Sequence, residues 1–171
     1  MEVIEKLKVV ELSQVSPPQG SVPKTSLPLT FFDVLWLSTQ TGEYKLYYID
    51  GDSVSLTVTE STAQVFHQLV ADNPKDTKEF HPLIPTLPTS PSLVALQVTI
   101  LPYSGNSNGI CLHHVAADGR SLAHFMKTRS SINKTGDLSS MASLPSYNRA
   151  VIKDPSALKK QIYMWCNFRV S

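Results

Sequence analysis

Gly109-Ile110-Cys111-Leu112-His113-His114-Val115-Ala116-Ala117-Asp118-Gly119-Arg120-Ser121-Leu122 passes from an apolar, β-branched run, through a turn, into an amphipathic helical pattern. Leu122, Phe125, Met126 and Ile132 recur at helical spacing, which predicts a helix after Gly119 that lays one face on a sheet. Lys134-Thr135-Gly136-Asp137 ends it, with a basic residue and a glycine where helices stop. Upstream, Leu93 to Leu101 reads as a strand. The turn formers Tyr103 to Asn108 connect it to a second strand beginning at Gly109, so the two are expected to pair antiparallel.

The same reading extends along the chain. Leu7-Lys8-Val9-Val10-Glu11-Leu12 predicts a first strand, and Ser16 to Pro23 an irregular, proline-punctuated loop. Leu29 to Leu37 is densely apolar and aromatic. It is read as a buried anchoring segment in which Asp33 caps a short helix. Tyr44 to Ile49 and Val54 to Val58 flank Asp50-Gly51-Asp52, which predicts a hairpin. Ser61-Thr62-Ala63-Gln64 has the form of a capping box and opens a helix with Val65 and Leu69 on its apolar stripe, closed by Asn73-Pro74. Prolines between Pro82 and Pro91 predict a stiff loop without ladder bonds. Residues 138 to 155 read as loop, and a last helix is expected from near Ser156. The fold class that results is mixed α/β: a largely antiparallel sheet flanked by helices, within one domain.

Composition removes several functions. The chain has 171 residues, 42% hydrophobic and 17% charged, which suits a globular domain with a core rather than a disordered chain. A net charge of +1 provides no field to gather nucleic acid or anionic lipid. No stretch has the length of a membrane span, and the mixed charges of Met1 to Lys6 do not form a secretory signal. Cys111 and Cys166 are too few and too far apart for a disulfide scaffold or a zinc site. Reduced thiols in the cytoplasm are the simplest expectation.

Chemistry concentrates at His114 and Asp118. An imidazole titrates near pH ~6.5, so it can take a proton at neutral pH and return it. His114 stands four residues before Asp118. The carboxylate there either orients the ring or holds the turn through backbone bonds, and spacing leaves both open. The alternative reading is a satisfied histidine at a strand end beside an N-capping aspartate. A metal site built from His113, His114, Asp118 and His124 is disfavoured, because adjacent strand residues point to opposite faces. Gly119-Arg120-Ser121 does not form a nucleophile elbow. His67 and His81 have no partner in view.

These residues resemble the plant BAHD acyltransferases, in particular the anthocyanin and phenolic-glucoside malonyltransferases. One block runs from Val15-Ser16-Pro17-Pro18 through Leu27-Pro28-Leu29-Thr30-Phe31-Phe32-Asp33. The other runs from Gly51-Asp52-Ser53-Val54 through Ala95-Leu96-Gln97-Val98-Thr99, the His114 to Asp118 motif with Gly119, and His124-Phe125-Met126-Lys127. It continues through Gly136-Asp137-Leu138 and Leu144-Pro145 to Val151-Ile152-Lys153-Asp154-Pro155. The resemblance implies one lobe of a chloramphenicol-acetyltransferase-like fold and transfer of an acyl group, malonyl in that clade, from coenzyme A to a hydroxyl of a phenolic or flavonoid glucoside. It implies His114 as general base and Asp118 as a structural support of the motif. It implies acyl-CoA as a co-substrate, no permanently bound cofactor, no metal and no covalent enzyme intermediate. The small-molecule acceptor and acyl-CoA are then the partners, with no nucleic acid and no membrane.

Departures from the family accompany these matches. The signatures Asp-Phe-Gly-Trp-Gly and Tyr-Phe-Gly-Asn-Cys are absent. Leu37 leads almost directly to Tyr44, where the family carries a strand and a long helix, and Tyr163 to Ser171 loses the family pattern. The expectation is therefore a single incomplete N-terminal lobe over residues 1–171 with an internal deletion near 38–43. Apolar surface should be exposed at Phe31, Phe32, Trp36 and the tail aromatics, and turnover by the chain alone should be small or nil. The expectation from a different class is a non-catalytic remnant that acts as a binding or interaction protein.

Overall fold

The computed structural model describes residues 7–37, 45–61, 69–88, 92–136 and 146–168. The chain divides into two compact units, one of residues 1–23 and 50–112 and one of residues 24–49 and 113–171. Together they give a mixed α/β fold whose sheets are mostly antiparallel.

The first unit is built on a four-stranded sheet. Strand β1 (Lys8–Val15) pairs antiparallel with β4 (Val54–Glu60), β4 pairs parallel with β5 (Val94–Leu101), and β5 pairs antiparallel with β6 (Gly105–Leu112). β5, one of the two interior strands, alternates most cleanly: Ala95, Gln97, Thr99 and Leu101 are all buried, as period-2 geometry requires of one face. Two of those four are polar, and they are satisfied within the layer. The Thr59 and Thr99 hydroxyls share a hydrogen bond of 2.8 Å, and the Gln97 amide donates to the Pro82 carbonyl at 2.7 Å and to Thr99 Oγ1 at 3.2 Å. Buried polar groups need such partners. A 3-10 helix over Thr77–Leu83 supplies the Pro82 carbonyl. It starts where the Asp76 carboxylate accepts from the Lys78 N–H and the Glu79 carboxylate accepts from the Asp76 N–H. This helix crosses β6 at Gly109, where a Cβ would lie 2.0 Å from the Leu83 carbonyl oxygen. Only glycine fits that approach.

Three expectations differ from what is found here. Val54–Glu60 does not form a hairpin with the preceding strand. It pairs instead with β1 and β5, because β1 offers it a longer ladder than its sequence neighbour does. β6 begins at Gly105 rather than Gly109. The turn is only Pro102 to Ser104, closed by the Ser104 N–H on the Leu101 carbonyl with Tyr103 in the left-handed region. Asn106, Ser107 and Asn108, turn formers by propensity, lie opposite Ile100, Thr99 and Val98, so pairing overrides propensity. Pro82 is inside a 3-10 helix rather than a loop. The capping box over residues 61–64 and the helix after it fall largely on residues 62–68, outside the described residues.

In the second unit, β2 (Thr25–Pro28) pairs antiparallel with β3 (Lys45–Tyr48). The short helix α1 (Phe31–Val34) packs on α3 (Leu158–Phe168). The longer helix α2 spans Gly119–Thr135 and ends at Gly136, whose left-handed backbone lets its N–H reach the Ile132 carbonyl. Leu29, Val34 and Val115 form the core, with Leu37, Leu46 and Ile162 packed against it. Asp33 is not the N-cap of α1. Thr30 is, and the Asp33 carboxylate accepts from both its N–H (2.7 Å) and its hydroxyl (2.8 Å). The same carboxylate pairs with the Arg149 guanidinium. Asp154 accepts from the Leu158 and Lys159 N–H groups and so caps α3, while Lys159 Nζ donates to the Leu29 carbonyl. Phe32, Leu35 and Trp36 are more than half exposed. No helix of the described residues is long and apolar enough to cross a membrane.

Candidate functional site

β6 ends at Leu112, and the chain enters the second unit at His113. The turn that follows is closed by two bonds: the Ala116 N–H donates to the His113 carbonyl at 2.8 Å, and the Val115 N–H donates to His113 Nδ1 at 3.2 Å. The His113 ring is half-buried and its Nδ1 is an acceptor, which places its proton on Nε2. One nitrogen of His113 is thereby committed to the backbone.

His114 differs. It is exposed, and among the described residues no hydrogen bond engages its ring nitrogens. Its ring lies on the indole of Trp36, with centroids 4.3 Å apart and planes at 24°. Val115, the next residue, is buried in the core beside Val34. The turn therefore sends one side chain inward and holds its neighbour at the surface.

Asp118 is the N-cap of α2, and its Oδ1 accepts from the Ser121 N–H at 2.7 Å. Hydrogen bonds from the Ser121 hydroxyl and then from its backbone favour the ionised form and hold this carboxyl below the ordinary aspartate value. No hydrogen bond joins Asp118 to either imidazole among the described residues. The spacing of His114 and Asp118 thus places an open imidazole at one end of the turn and a helix cap at the other.

An open cleft of about 600 Å³ borders the far side of the motif at Ala116 and Ala117. Arg120, His124, Tyr147 and Arg149 reach its wall, which carries two guanidinium groups and, among the described residues, no carboxylate. His114 is not on that wall. His124 stands on α2 and lines this cleft, while His113 bonds the backbone, His114 stacks on Trp36 and Asp118 caps the helix. Among the described residues no group of three or more His, Cys, Asp or Glu gathers as a metal site would need. His81 lies in the 3-10 helix of the first unit, and His67 lies outside the described residues.

Two partners escaped sequence reasoning: Trp36 over His114, and Arg149 on Asp33. Neither has a spacing signal, since each joins segments far apart in the chain. The hint was indirect, an aromatic run with an acidic residue embedded in it.

No protein-family model matches the chain. Among curated proteins it is similar to the coumaroyl-CoA:anthocyanidin 3-O-glucoside-6''-O-coumaroyltransferase 1 of Arabidopsis thaliana, 34% identical over 211 aligned positions that take in 86% of this chain and 45% of the relative. It is 29% identical to the phenolic glucoside malonyltransferase 1 of Nicotiana tabacum, with 91% of this chain and 47% of the relative covered. It is 26% identical to the malonyl-coenzyme A:anthocyanin 3-O-glucoside-6''-O-malonyltransferase of Dahlia pinnata, with 89% and 46% covered. The chain spans less than half the length of each of these relatives. An alignment of 211 positions against 171 residues leaves at least 40 positions of the first relative facing no residue of this chain.

Proposed function

The chain belongs to the BAHD acyltransferase family, and on that premise we propose that it forms the N-terminal lobe of an acyl-CoA-dependent O-acyltransferase with His114 as general base. The observation that carries this reading is the state of the His114 imidazole, exposed and with no hydrogen bond committing its nitrogens among the described residues.

The acceptor is a sugar hydroxyl of a phenolic or flavonoid glucoside. His114 takes its proton as the oxygen attacks the thioester carbonyl of the donor. The tetrahedral oxyanion collapses, the carbon–sulfur bond breaks, and the imidazolium returns the proton to the departing coenzyme A sulfur. The chain supplies base and acid from one ring and forms no covalent intermediate. Asp118 acts at a distance: it starts α2 and fixes the turn, and it does not touch the ring.

The donor we assign is malonyl-CoA. Relatives named for coumaroyl and for malonyl donors both match the chain, so the assay carries both thioesters. The shortfall in length relative to the family is assigned in part to an internal deletion near residues 38–43. Residues 1–171 alone are expected to turn over little or nothing, because an imidazole open to bulk water lacks a positioned acceptor and a water-poor oxyanion site.

The test is release of coenzyme A thiol from malonyl-CoA or coumaroyl-CoA with flavonoid glucosides. It is run on the 171-residue chain alone and mixed with the C-terminal half of the Nicotiana tabacum relative. Thiol release is expected only in the mixture and is expected to vanish with His114→Ala. Turnover by the chain alone overturns the inactivity, and turnover that survives His114→Ala overturns the base.

A further inference from the structure

We propose that Trp36 is the positioning residue of His114: its indole, not the carboxylate of Asp118, fixes the plane of the imidazole. The inference rests on the reading of His114 as the base and assigns the group that orients it.

A general base needs a defined ring direction, because rate depends steeply on how the accepting nitrogen faces the donor hydroxyl. The usual device is a carboxylate hydrogen-bonded to the second ring nitrogen. Here the nearest carboxylate in sequence, Asp118, is engaged by Ser121 at the start of α2. The face of the His114 ring is held instead by the Trp36 indole, at 4.3 Å and 24°. Turning the imidazole about its Cβ–Cγ bond would break the overlap. A face-to-face contact also leaves the ring edge, where both nitrogens lie, uncovered by the indole.

Both partners are anchored to one core. Val34, two residues before Trp36, is 0% exposed, and Val115, directly after His114, is 3% exposed. The two meet in the cluster with Leu29. The Trp36 N–H donates to the Asp33 carbonyl at 3.1 Å. The Asp33 side chain is itself held by Thr30 and Arg149. Four contacts thus fix the backbone that carries the indole, although the indole is about half exposed (53%). An exposed tryptophan on so constrained a turn suits a platform for another ring.

The experiment is proton NMR of the 171-residue chain, with the His114 signals identified by their loss in His114→Gln. Stacking should shield the His114 ring protons, moving them upfield of those of the other histidines, and the single rotamer should give its two β protons clearly unequal couplings to the α proton. Trp36→Ala should abolish both signatures. Trp36→Phe keeps an aromatic face and should retain a reduced upfield displacement. Unchanged His114 signals in Trp36→Ala overturn the proposal, as does complete loss of the displacement in a folded Trp36→Phe chain. None of these readouts needs turnover. A failure here leaves the base assignment standing, and survival of thiol release in His114→Ala leaves the stack standing.

Discussion

Gly109→Ala is expected to be among the more costly single-methyl additions to this chain. The new Cβ would sit 2.0 Å from the Leu83 carbonyl oxygen, against about 3.4 Å for ordinary contact. The obstacle is backbone, so no rotamer change relieves it. β6 and the 3-10 helix must part by about 1.4 Å. If Pro82 moves with Leu83, its bond from Gln97 stretches from 2.7 Å beyond hydrogen-bonding range. Overpacking costs about 1–3 kcal/mol, and the partner lost to the buried Gln97 amide a further ~1–3 kcal/mol. Stiffening of the unfolded chain offsets about 0.4–1 kcal/mol. The net loss is about 1–5.6 kcal/mol, or roughly 0.5 M or more in the urea midpoint for a slope near 2 kcal/mol/M. Gly119→Ala is the matched control, since a Cβ there meets nothing within 4 Å and the backbone is not left-handed. It should be neutral or slightly stabilising. Urea unfolding followed by circular dichroism compares the two. Equal midpoints would refute the close approach of Leu83 to β6.

Two further outcomes are expected from the second unit. Asp118→Ala should cost about 1 kcal/mol, the ordinary value of an N-cap. Because its folded-state carboxyl is held below the ordinary value, its contribution is present above the unfolded carboxylate pKa and fades as pH falls through the lowered one. The gap between wild type and Asp118→Ala in urea midpoint should therefore be present at pH 7 and close in strong acid. Arg149→Met should cost about 1–3 kcal/mol, between exposed and buried pairs, because the partly covered Asp33 carboxylate loses its counter-charge. Arg149→Lys should recover only part, since an ammonium lacks the guanidinium fork, and the same urea midpoints report it.

Periodicity made the local elements legible. The strand at 94–101, the helix from Gly119 and its stop at Gly136 each announce themselves within a dozen residues. Pairing was less legible, because partner choice depends on distant segments. Nothing near Lys45–Tyr48 says that it will join Thr25–Pro28, or that β4 will lie parallel to β5. At the site, the turn sequence separated His114 from Asp118 but left the aspartate's task open, and the structure shows a cap. Trp36 was legible only as an apolar residue expected at the surface. Its contact with His114 arises because Val34 and Val115 share one core.

The polar pair inside the first sheet bears on which pairing the chain selects as it folds. Sliding β4 by two residues along β5 returns every side chain to the same face, so hydrophobic alternation alone does not oppose it. In the native arrangement Thr59 lies opposite Thr99 and their hydroxyls bond. A two-residue slip would set Thr59 against Gln97 or Leu101 and break the hydroxyl pair in a buried layer. Leaving such a group unpaired costs about 1–3 kcal/mol, a bias of roughly fivefold or more against the slip that leaves Thr59 facing Leu101. Two threonines that look like flaws in an apolar layer thus act as its alignment marks.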